Sequence, residues 1–321
     1  MVGEVVIGDI ACAPGATARG MVPVATRAGL GEYAFPVLIV NGMQPGPRLC
    51  IIAGVHGDEY EGMEAVRRVL HHTDPATLRG AVVGIPCVNL AAFETATRSS
   101  GIDGLNLNRI FPGDATGSLS LRLAATFLRT VIREVDALLD LHTGGGFGEI
   151  APITIVQSGY ETLALGLGQA IGHELLWMGG KWGGTARISA LEAGKAAVTV
   201  EVGGGGGCRD ETIAAHVDGV RSAMRYLGMI AGTPTMRQEY RIVSGTFDRA
   251  TSGGFFLGRA RPGGECGAGQ TVGVIVDPFG DERQIIDAPH DGLVLWIRRR
   301  ASIQPGEETV IFGRVERVIT S

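Results

Sequence analysis

Short apolar runs that stop at glycine-rich turns, each followed by a stretch with helical spacing, constrain this chain more than any other feature. Leu49-Cys-Ile-Ile-Ala53 is apolar at every position, as in strands buried on both faces. It leads into Gly54-Val-His-Gly-Asp-Glu-Tyr-Glu-Gly62, after which Met63, Val66, Val69 and Leu70 fall at helical spacing. The same grammar returns in the Ala81–Pro86 run and the helical periodicity of Leu119 to Val135. It returns again in Val135–Leu141, which ends at His142, and in Ile153–Val156 with a helix near Thr162–Gly172. A last round joins Ala197–Glu201, five glycines and an amphipathic stretch from Thr212 to Leu227. Strands alternating with helices predict an α/β fold, a sheet covered by helices on both faces. Residues 1–45 alternate apolar and polar residues and read as strands joined by tight turns. Beyond Gly232-Thr-Pro234 short strands and Gly/Pro turns take over. The expected organisation is therefore a larger domain at 1–234 and a small all-β domain at 235–321.

Composition narrows the partners. A length of 321 residues with 45% hydrophobic content supports a sizeable core and two domains. The net charge is -5, and lysine occurs only at Lys181 and Lys195, so no nucleic-acid partner is expected. The run Arg298-Arg-Arg300 reads as a solvated strand end or turn. Five scattered cysteines with no CxxC pair argue against a disulfide framework and for a reducing, cytoplasmic compartment. The N-terminal residues do not read as a signal peptide, and no run of eighteen apolar residues predicts a membrane helix.

Four elements carry chemistry. His56-Gly-Asp-Glu59 lies at a strand-to-helix junction, where two ligands three residues apart can face one metal ion, with Gly57 letting the backbone bend. By itself this pair also fits a first-turn glutamate favoured by the helix dipole. His142 closes an apolar strand at its carboxyl end, where open α/β sheets bind ligands, and Asp140 two residues earlier lies on the same side to orient its ring. Together His56, Glu59 and His142 make a His₂Glu set that leaves a coordination position open for water; zinc fits, and iron(II) fits the same triad. Glu201 ends an apolar strand before five glycines and suits a base that takes a proton from water and returns it to a leaving amine. In Asn106-Leu-Asn-Arg-Ile-Phe-Pro-Gly113, Arg109 has the fork that suits a carboxylate or an oxyanion, with Asn108 beside it.

These motifs, in this order across residues 48–204, resemble the succinylglutamate desuccinylase/aspartoacylase family, with its zinc-carboxypeptidase-like fold. The wording HGDEYEG, FPG and EVGGGG looks similar to bacterial members, including N-acetyl-diaminobutyrate deacetylases. The resemblance implies one Zn²⁺ per chain on His56, Glu59 and His142, and Glu201 as general base and acid. It implies Asn108 and Arg109 on the substrate carboxylate, and Arg98 or Arg109 polarising the scissile carbonyl. A small-molecule N-acyl amino acid is then the expected substrate. Lys181 and Arg187 are the candidates for a further substrate contact. Two other readings stay open at this point: a metallocarboxypeptidase acting on peptides, and a non-catalytic metal-dependent binding module.

The C-terminal stretch has the layout of a barrel-sandwich hybrid, as in biotinyl and lipoyl carriers. Carriers need a lysine on a hairpin tip, and none follows Lys195, so the stretch is expected to be a lid, a cleft wall or a contact within a homo-oligomer. His71 and His72 close a helix, where cationic side chains favour the dipole. His173 and His216 are expected to be hydrogen-bonded or exposed, and His290 to sit in a turn. Trp177, Trp182 and Trp296 read as packing groups, the first two flanking a glycine-rich stretch beside the pocket.

Overall fold

The apolar runs become the middle of a twelve-stranded mixed sheet. The computed structural model describes residues 3–179 and 183–320. Gln44–Ile52 lies between Arg79–Ile85 and Ala137–His142, and Ala137–His142 pairs next with Ala196–Gly204, all in parallel. Every residue of Ala137–His142 is buried, and Leu49 to Ile52 are wholly inaccessible. Side chains packed on both faces explain why these strands read as unbroken apolar runs rather than alternating ones. Ala16–Thr26 and Glu32–Asn41 extend the sheet antiparallel at one edge.

The helices divide between the two faces. Tyr60–His71, Glu161–Ala170 and Asp210–Tyr226 pack together on one side, where Gly62 abuts Leu141. Leu119–Thr130 and Ala186–Glu192 pack together on the other, the side toward which Asp140 and His142 project. Among the described residues no helix is long and apolar enough to cross a membrane.

Beyond residue 234 the described residues form strands and turns only. These strands do not stand apart from the sheet. Glu239–Arg249 pairs in parallel with Leu175–Met178, Glu308–Thr320 follows it, and Gly292–Arg298 comes next. Gly292–Arg298 then returns to pair with Gly148–Val156 through Trp296↔Ile150. Five strands, two from the middle of the chain and three from its end, thus close into a ring. Its own apolar cluster includes Ile153, Leu175, Val243 and Leu295. A separate four-stranded sheet at 254–303 covers a further cluster around Phe256, Ile275 and Phe312.

Two histidines give the fold a pH dependence. His173 shares a 3.2 Å hydrogen bond with Thr154 Oγ1, whereas His216 is fully buried, with the Val202 backbone as its polar neighbour. Burial pushes His173 down to about 4 and His216 down to about 3. Both stay neutral in the fold while the unfolded chain takes up protons below about pH 6.5. The stability they allow is therefore complete above that value and is lost as pH falls toward 4. Lowering metal-free protein from pH 7.5 to 5 is expected to cost about 2 kcal/mol per histidine, read from urea midpoints. His216→Gln should remove about half of that loss, and a variant with the wild-type slope would contradict the assignment.

Candidate active site

The site lies where the carboxyl ends of the central strands meet two glycine loops. His142 ends its strand and Glu201 lies three residues before the end of the next, the two being direct cross-strand partners. After Glu201 the backbone runs through Gly203 to Gly206 with four successive positive φ values, a path open in practice only to glycine. This loop is bonded to residues 143–148: Gly144 N–H donates to Gly203 O at 3.0 Å, and Gly205 N–H donates to Gly148 O at 2.6 Å. The two strand ends are held side by side by that pairing.

His56 and Glu59 arrive from the loop after Gln44–Ile52. The chain redirects at Gly54, with φ +65°, and turns again at Gly57-Asp58. Gly57 is needed for space: a methyl group there would sit 2.0 Å from the Ala92 carbonyl carbon. Asp58, which the sequence reading passed over, accepts the Gly146 N–H at 2.9 Å and ties this loop to the one after His142.

His56, Glu59 and His142 are all buried, and one donor atom of each lies within 4.8 Å of the others. Hydrogen-bond partners settle which ring nitrogens face inward. His142 Nε2 lies 2.9 Å from Asp140 Oδ1 in an ion-pair contact, and His56 Nε2 lies 3.2 Å from Asn106 Oδ1 in a hydrogen bond, so an acceptor faces each Nε2 on its outward side. The two Nδ1 lone pairs then face each other at 3.2 Å and face Glu59 Oε1 and Oε2, each at 2.8 Å. Acceptors set against acceptors at such distances call for a proton or a metal cation between them, and this donor set fits a zinc ion. A proton on His142 Nδ1, shared with Glu59 Oε2, serves the same end when no metal is held. Burial opposes charge on both Glu59 and His142, yet the two histidines hold Glu59 well below the carboxylate range, and Asp140 and Glu59 hold His142 well above the histidine range.

The other predicted residues gather around this cluster. Arg98 Nη1 donates to Glu59 Oε1 at 3.1 Å and lies 3.3 Å from His56 Nδ1. Asn108 is buried, with Nδ2 3.5 Å from His142 Nε2 and Oδ1 without a partner. Arg109 donates to the Asn108 carbonyl at 2.7 Å and is otherwise exposed. Glu201 Oε2 is hidden from solvent and has no partner; loss of solvation, resisted by His142, pushes its carboxyl up to about 8. Arg187 is buried, donates to Gln157 at 3.2 Å and lines the same cavity. Lys181 and Trp182 lie outside the described residues.

The cavity encloses about 520 Å³, and its far wall comes from the closing strands of the ring. Trp296 therefore lines the pocket besides packing, and its Nε1–H donates to Gly144 O at 2.8 Å. Arg298 corrects the expectation of a solvated arginine run: it is buried and paired with Glu307 at 2.8 Å, while Arg299 and Arg300 are exposed. His290 is a half-buried residue in a bend.

Comparison with known proteins places this geometry. Residues 45–227 match the model of the succinylglutamate desuccinylase/aspartoacylase catalytic domain. The N-α-acetyl-L-2,4-diaminobutyric acid deacetylase of Halomonas elongata is 32% identical over 218 residues, 66% of this chain and 64% of that protein, so less than two thirds of its length is matched. A succinylglutamate desuccinylase/aspartoacylase from Rhodobacter sphaeroides has a TM-score of 0.83 at 25% identity, covering 93% of this chain and 96% of that one. An aspartoacylase family protein from Mesorhizobium loti has a TM-score of 0.80 at 27% identity, covering 94% and 95%. With the family model spanning the loops and strand ends that carry the His–Glu–His cluster, the chain belongs to the succinylglutamate desuccinylase/aspartoacylase family.

Proposed function

We propose that the protein is a zinc-dependent amidohydrolase that removes a short acyl group from an N-acyl amino acid or a related small amide by attack of water. The observation that carries this reading is the convergence of the His56 and His142 Nδ1 lone pairs on the Glu59 carboxylate, next to Glu201. The name of the Halomonas relative, a deacetylase of an N-acetyl amino acid, supports the same class.

His56, Glu59 and His142 hold the metal, one per chain, with Asp140 and Asn106 fixing the ring tautomers. Zinc bound there supplies Lewis acidity, polarising the amide carbonyl and lowering the pKa of water towards roughly 7. Glu201 accepts the proton of the attacking water and passes it to the departing amine; a carboxyl held high by lost solvation is suited to giving that proton back. Arg98 faces the same centre and stabilises the charge that develops on the carbonyl oxygen. Asn108 and Arg109 bind the substrate carboxylate. Residues 1–234 make up the catalytic domain in this proposal, and 235–321 a β domain that walls its cleft.

The test is metal content measured together with hydrolysis of N-acetyl, N-formyl and N-succinyl amino acids and of short peptides. About one zinc per chain with turnover of an N-acyl amino acid but not of peptides is the expected result. Turnover of peptides alone would replace the proposal with a carboxypeptidase. Bound zinc without turnover of any compound would leave a binding module.

A further inference from the structure

We propose that Ile150, Ile155, Trp177, Phe247, Trp296 and Ile311 form a subsite for an apolar group of about four to seven carbon atoms flanking the scissile amide, a span set by strand spacing. The inference rests on the amide-hydrolase reading above and adds the class of substrate.

The strand register carries it. Residues directly opposite on paired strands project to the same face. His142 opposes Glu201, Thr199 on the same face opposes Ile155, and Ile155 opposes Trp177. Trp177 opposes Val243, and four residues on, Phe247 opposes Ile311. Ile311 in turn opposes Trp296, which opposes Ile150. One face thus grades from the metal-ligand end into an apolar end, and all six apolar residues line the cavity that holds His142 and Glu201. Trp177 is two strands from Glu201, about 10 Å between backbones, farther than an acetyl group reaches.

The apolar end is built to stay open, and the buried Arg187, which lines the same cavity, donates to Gln157 two residues beyond Ile155. Five of the six, all but Phe247, belong to the buried cluster that fills the ring, so only their cavity-facing edges at its mouth are open to a ligand. Both indoles lie on glycines: a methyl group at Gly245 would sit 2.5 Å from the Trp177 ring, and one at Gly148 2.0 Å from the Trp296 ring. The charges flanking the mouth are engaged with each other, Arg249 with Glu308 and Arg298 with Glu307, both at 2.8 Å. A charged substituent placed there would give up hydration for apolar surface.

The experiment compares kcat/KM of the zinc-loaded protein for N-acetylglycine, N-acetylnorleucine, N-acetylphenylalanine, N-hexanoylglycine, N-acetylaspartate and N-acetyl-2,4-diaminobutyrate. At roughly fourfold per buried methylene, norleucine, phenylalanine or hexanoyl substrates are expected to exceed N-acetylglycine by about 50-fold or more. The norleucine and hexanoyl arms tell whether the amino-acid side chain or the acyl chain fills the subsite. Phe247 is 40% exposed, and Phe247→Asp should shrink that ratio at least tenfold. Calorimetric binding of the same compounds to the Glu201→Gln protein gives a readout that needs no turnover. Turnover led by the aspartate or diaminobutyrate compound, or a ratio unmoved by Phe247→Asp, overturns the subsite and leaves the hydrolase reading standing. An apolar order in binding without turnover does the reverse, and neither preference nor turnover overturns both.

Discussion

Replacing Glu201 with Gln is expected to lower kcat by about 10²- to 10⁴-fold, the scale of a lost general acid–base, with KM nearly unchanged and zinc still bound at one per chain. Gln keeps the size and one carbonyl oxygen of the side chain but cannot hold the proton between water and amine. No hydrogen bond is broken at Oε2, because that oxygen has no partner. Removing a poorly solvated carboxyl that Glu59 and Asp140 push upward should leave the melting temperature the same or slightly higher. Loss of turnover with intact metal and an unlowered melting point would separate chemistry from folding. A variant that kept a tenth of the wild-type kcat would remove Glu201 from the mechanism.

The second large effect is on the metal. His142→Ala is expected to abolish stable zinc binding, and Asp140→Asn to weaken it by about 10- to 100-fold, the usual loss when an outer partner of a ligand is changed. The difference follows from position. His142 supplies a lone pair to the centre, whereas Asp140 reaches it only through His142 Nε2, where it fixes the tautomer. Competition with a chelator of known affinity measures both, and the expected order is wild type, then Asp140→Asn, then His142→Ala. If Asp140→Asn bound zinc as tightly as the wild type, the tautomer assignment would fail. If His142→Ala did so, the ligand set would fail with it.

Much of this site was legible in the chain because its polar residues stand where apolar strands stop. His142 and Glu201 interrupt runs that bury both faces, and a polar side chain at such a strand end faces the crevice outside the sheet. The glycine run after Glu201 was equally plain, since four positive φ values in a row admit little else. Gly57 lies in the turn expected of it, yet the tighter demand on it was not legible. Its lack of a side chain answers to the Ala92 backbone, 35 positions away, and no local pattern reveals such a contact.

The alternation of strands with helices, the break in grammar near residue 234 and the grouping of chemistry at strand ends follow from local periodicity, because burial on one or both faces imprints itself on neighbouring residues. Ring closure does not. Trp296 meets Ile150 across 146 positions, and that pairing turns a packing tryptophan into a pocket wall and buries Arg298 against Glu307. His216 reads as an ordinary helical polar residue, yet the helix side it occupies is sealed completely by elements distant in sequence. Which strand edges pair, and which side chains lose water as a result, depends on non-local contacts that offset their loop-closure entropy only when the whole fold forms.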